Sequence, residues 1–75
     1  MEKSELDHLL FAYKAAVENW IAAIREEEDL AKPDHSTHAV DVWEGAGFKE
    51  EEARHKAKDA RREYEAALRH ELYHF

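Results

Sequence analysis

Apolar residues fall along this chain in two long periodic runs separated by a less regular middle. In the first run Leu6, Leu10, Tyr13, Val17, Trp20 and Ile24 recur in alternating steps of four and three. That spacing places side chains on one face of an α-helix. Leu9, Ala16, Ile21 and Ala23 widen the face into a broad stripe. The acidic run Glu26-Glu27-Glu28-Asp29 ends the apolar pattern, and Lys32-Pro33 stops the helix, because the residue before a proline avoids the α region. The pattern predicts a first helix over about residues 5–31, with Ser4 as N-cap and Asp7 as its capping-box partner.

The second run is Ala53, Ala57, Ala60, Tyr64 and Ala67, continued by Glu71 and His74 and flanked by Leu68, Leu72 and Phe75. It predicts a second helix over about residues 48–74 with a seam made mostly of alanine. Small side chains opposite large ones let two helices approach closely and interdigitate. The two runs therefore read as an all-α, antiparallel two-helix hairpin.

The middle is harder to assign. Val40, Val42, Trp43 and Phe48 are too apolar for a free loop, and the stretch from Asp34 to Thr37 offers several N-caps. Gly45 and Gly47 then interrupt the apolar pattern. The favoured reading is a connection over residues 32–47 containing a short helix at 37–44 that lies across the end of the hairpin. The rival is a second helix that begins at Thr37 and tolerates both glycines at a cost of about 1 kcal/mol each. Matching lengths favours the first, since a helix starting at Thr37 would overhang its neighbour by roughly 15 Å.

Size turns this pattern into an argument about assembly. The chain has 75 residues and no cysteine, so disulfides and thiolate metal sites are excluded. A domain of this length buries only roughly 60% of its unfolded surface and usually needs a partner, a metal or very good packing. The stripe on the first helix is wider than one line of contact requires, and Phe11 points away from it. A twofold dimer forming a four-helix bundle is the simplest closed solution. Its expected interface comprises Leu10, Tyr13, Val17, Trp20, Ile21, Ile24 and Trp43. A three-helix monomer, with the 37–48 segment laid over the stripe, is the competing arrangement.

Charge narrows the partners. The net charge of −7 disfavours a polyanion, so no nucleic acid is expected. No apolar run approaches the length of a membrane span, and Met1 to Glu5 lacks a signal-peptide pattern, which suggests a cytoplasmic protein. Residues 54–62 hold five Lys or Arg against one acid; their simplest use is to face the acidic surface of the first helix across a dimer.

Two motifs bear on chemistry. His70-Glu71-Leu72-Tyr73-His74 is a literal H-E-x-x-H, and over these five residues it resembles zinc metalloproteases, in which the histidines bind metal and the glutamate is the general base. Four-residue spacing puts His70 and His74 on one helix face, but no third ligand follows them, so a metal held by His70, Glu71 and His74 is expected in preference to proteolysis. Glu-x-x-His pairs at Glu5/His8, Glu52/His55 and Glu71/His74 look like those of ferritin-like di-iron bundles, yet His8 and His55 fall off the helix seams. No nucleophile–base arrangement and no cofactor site is visible. The sequence leaves the cellular function unknown. Its reading is a non-enzymatic oligomeric helical module for protein–protein interaction or assembly, with a metal-binding bundle as the alternative.

Overall fold

The computed structural model describes residues 3–31 and 36–73. It is an all-helical hairpin of two elements, α1 (Lys3–Leu30) and α2 (Thr37–Tyr73), packed against each other. Three cross-helix contacts fix the antiparallel register. Tyr13 stacks on Tyr64, Trp20 reaches Glu50 and Glu26 meets Lys49, so rising positions on α1 meet falling positions on α2.

The connection departs from the favoured sequence reading. No separate helix over 37–44 lies across the hairpin, and the second helix does not start at 48: α2 runs unbroken from Thr37 through Gly45 and Gly47 to Tyr73. The physical reason is the seam. Counting upstream from Ala53 by threes and fours gives Glu50 and Ala46, so the α2 face that packs on α1 continues in among the glycines. Ala46, between them, is one of three buried residues among those described. Ending a helix there would orphan several carbonyls and require a second nucleation, which together outweigh two glycine penalties of about 1 kcal/mol. The segment expected to cover the stripe on α1 thus extends α2 instead, and the three-helix monomer is excluded.

Both ends of the turn follow from local chemistry. α1 closes at Leu30, with the amide of Ala31 donating to the Glu28 carbonyl at 3.1 Å; Lys32 to His35 lie outside the described residues. Ser36 caps α2: its hydroxyl accepts from the Ala39 amide at 3.2 Å while its carbonyl accepts the first helical bond from Val40 at 3.1 Å. That is N-cap geometry. Ser36→Ala is expected to lower stability by about 1 kcal/mol, read as a shift in the urea midpoint at unchanged slope. Ser4, by contrast, lies inside α1, which already begins at Lys3, so it does not occupy the N-cap position assigned from sequence.

α2 has 37 residues and α1 has 28, so α2 is longer by about 13 Å at 1.5 Å per residue. Extending the observed register sets Leu30 near position 45 of α2. The surplus is therefore the first two turns of α2, which project past the end of α1 and carry Val40 and Trp43. The molecule measures 56 × 17 × 12 Å. The longest dimension is the length of a straight α2, and the shortest is about one helix diameter. The hairpin is one layer thick.

Candidate functional site

A single layer of two helices can shield only what lies directly between them. Among the described residues the buried side chains are Ala46, Ala57 and Ala67, all on the α2 seam and all small enough to sit in the line of contact. Among the described residues no large side chain is fully buried. The bulky α1 residues that face these alanines stand proud of that line on both sides.

The seven interface residues named from sequence are placed as follows. Leu10, Tyr13, Val17, Trp20 and Ile24 form the half-buried stripe of α1. Ile21 lies at its edge, 37% exposed, and Trp43 stands 41% exposed on the projecting turns of α2. Val40 on α2 belongs to the same surface, as do Leu68 and Leu72 near the C-terminal end. The sequence reading set Leu68 and Leu72 beside the seam, and set Val40 in the connection because it stopped the α2 seam at Ala53, so none of the three was counted in the interface. The three-four spacing back through Ala46 to Trp43 was the available signal.

The hairpin has two unlike broad faces. Ala16, Asn19, Lys49, Glu52, Ala53 and Lys56 line one shallow groove, so these flanks of the two helices lie on one side of the layer. At 100° per residue, Leu10, Val17 and Ile21 occupy the opposite flank of α1, and Val40, Trp43, Leu68 and Leu72 the opposite flank of α2. One broad face is therefore polar; the other carries the apolar flank of α1 and apolar side chains toward both ends of α2, with Arg54, Arg61 and Glu65 between them on the same flank of α2.

One hydrogen bond and one aromatic stack pin the helices together beside this surface. The indole Nε1 of Trp20 donates to Oε1 of Glu50 at 2.6 Å; Glu50, at a seam position of α2, is a site residue that apolar periodicity alone passes over. The rings of Tyr13 and Tyr64 stack with centroids 6.2 Å apart. Arg61 donates through Nε to Glu65 at 2.7 Å, and that hydrogen bond, with the charge of Glu65, raises the pKa of the guanidinium. Arg54 is half-buried, and among the described residues its Nε has no hydrogen-bond partner.

Charge is unevenly distributed along the layer. Cut midway between the Tyr13–Tyr64 and Trp20–Glu50 contacts, the turn half comprises residues 17–30 and 37–57. It has ten acidic side chains (Glu18, the 26–29 run, Asp41, Glu44 and the 50–52 run) against the four bases Arg25, Lys49, Arg54 and Lys56. The open half, residues 4–16 and 58–73, has six acidic against five basic and is near balance. Within the basic stretch, Arg54, Lys56, Arg61 and Arg62 each pair with a carboxylate one turn away on α2. These exposed pairs support the helix by a few tenths of a kcal/mol each.

The metal triad is only partly placed. His70 and Glu71 are exposed on the last described turn of α2, and His74 lies outside the described residues. Among the described residues no group of three or more His, Cys, Asp or Glu is arranged to hold a metal ion. His8 and His55, of the other Glu-x-x-His pairs, are exposed. Among the described residues, no helix is long and apolar enough to cross a membrane. Compared with known proteins, the chain matches no family model, no curated protein and no solved structure.

Proposed function

We propose that this chain is a non-enzymatic helical module that works as an oligomer, two hairpins closing their apolar faces into a four-helix bundle that serves in protein assembly. The observation that carries this reading is the burial pattern: among the described residues three alanines are buried and no large side chain is. A hairpin with such a core leaves Trp20, Ile24, Val17 and Leu10 partly exposed, whereas stable small domains enclose their large apolar groups.

Surface area supports it. The accessible surface is 6042 Å², against about 4,800 Å² for a compact monomer of 8.8 kDa. The excess of roughly 1,200 Å² exceeds the ~800 Å² that each partner contributes to a standard protein interface. The radius of gyration of 17.1 Å, against about 11 Å for a compact 75-residue domain, has the same cause. A second copy is the occupant that matches this face in length and composition without any further component.

Sedimentation equilibrium at tens of micromolar is expected to return about twice the chain mass of 8.8 kDa, and the melting temperature should rise with protein concentration, as linkage requires for a fold completed by association. A chain that stays at 8.8 kDa at millimolar concentration while melting cooperatively would overturn the proposal.

A further inference from the structure

We infer that the two hairpins pair antiparallel, the turn end of one beside the open end of its partner, with the twofold axis perpendicular to the long axis and the face bearing Val17, Ile21, Trp43 and Leu72 between them. This rests on the pairing proposed above and adds its direction.

Two independent observations select the direction. The first is charge. The turn half has six more acidic than basic side chains while the open half is near balance. A parallel pair sets the two acidic halves side by side along their whole length. An antiparallel pair sets each against the half that holds Lys58, Arg61, Arg62 and Arg69. Like charges brought within a Debye length repel, and opposite ones select partner orientation.

The second observation is the overhang. The first two turns of α2 project past α1, and Val40 and Trp43 there are 37% and 41% exposed. In a parallel pair that end of the bundle contains two helices only, because both copies lack α1 at that level. In an antiparallel pair the projecting turns lie beside the partner's open end, where α1 and α2 are both present. There Trp43 and Val40 meet the surface around Leu72, which is 66% exposed. Every level of the bundle then has at least three helices, and the exposed apolar residues at the two ends of α2 cover each other.

The chain has no cysteine, so a single introduced thiol takes a spin label without background. Asp41→Cys labels the exposed turn end of α2 and His55→Cys labels its midpoint. Sedimentation and circular dichroism establish the mass and helicity of each labelled protein. In the antiparallel dimer, electron–electron distance measurement should give a separation beyond about 40 Å at position 41, from 1.5 Å per residue over the two half-lengths, and one under about 30 Å at position 55. A dimer with a position-41 distance under about 25 Å overturns the direction and leaves the pairing standing. A labelled chain that is monomeric, helical and free of dipolar coupling overturns both.

Discussion

Trp20→Glu should abolish cooperative melting and dimerisation together. The indole of Trp20 is half-buried at the centre of the α1 stripe, and its Nε1 donates to Glu50 at 2.6 Å. The substitution removes the largest apolar group from the helix contact and places a second carboxylate against Glu50, with no cation in the exchange. Loss of a core aromatic typically costs about 3–5 kcal/mol, and a like-charge pair within a half-buried contact adds to it. A domain of this length has a total stability of only about 4–11 kcal/mol. The expected result is a low-helicity, monomeric chain by circular dichroism and sedimentation at neutral pH. Trp20→Phe separates the two causes. It keeps most of the apolar volume and leaves Glu50 without its donor, so it should remain folded with a loss of about 1–2 kcal/mol. If Trp20→Glu melts like the parent, neither the indole contact nor the surface around it holds the molecule together.

The opposite effect is expected at the glycines. Gly45 and Gly47 lie in the interior of a continuous α-helix, and a Cβ built on either meets nothing within 4 Å in the hairpin. Neither position needs the conformational freedom of glycine, so each loses backbone entropy on folding with no return in the single chain. Gly45→Ala and Gly47→Ala should each raise stability by about 1 kcal/mol. Combined, they should raise the melting temperature by roughly 10 °C, given 4–8 °C per kcal/mol for a domain of this length. The measurement also tests the continuity of α2: if the helix broke near these residues, alanine would bring little or nothing. Gly45 is exposed, while Gly47 is half-buried and lies toward the apolar face. A gain at Gly45 with a concentration-dependent loss at Gly47 would therefore locate the partner's backbone or side chains against residue 47.

Both substitutions fall where reading from sequence meets its boundary. Helix 1 could be read almost to the residue because its large apolar side chains recur at helical spacing and its end is written in charge and proline; the observed range, Lys3–Leu30, differs from the expected one by one or two positions. The alanine seam of α2 was legible for the same reason from Ala53 onward, and the hairpin results from large side chains facing small ones. The connection was not legible. Two glycines in three residues are a local signal for interruption, and equal helix lengths are a reasonable global one. The structure sets both aside because the packing face of α2 continues through Ala46, and tertiary contact outweighs propensities of about 1 kcal/mol.

The candidate site divides in the same way. Periodicity located the stripe from Leu10 to Ile24 and named Trp43, but could not see Glu50 as a seam residue, because a carboxylate at an apolar position is explained only by the indole it meets across the helix pair. By itself the sequence determined that the chain is helical, that its halves pack antiparallel and that α1 has more apolar surface than one neighbour can cover, since each is a consequence of local spacing and side-chain size. Only the tertiary structure decided that the middle segment lengthens α2 instead of covering the stripe, and that the apolar residues toward both ends of α2 fall on the same broad face as the apolar flank of α1, since both depend on the register and rotation of two helices about each other, which local periodicity does not encode.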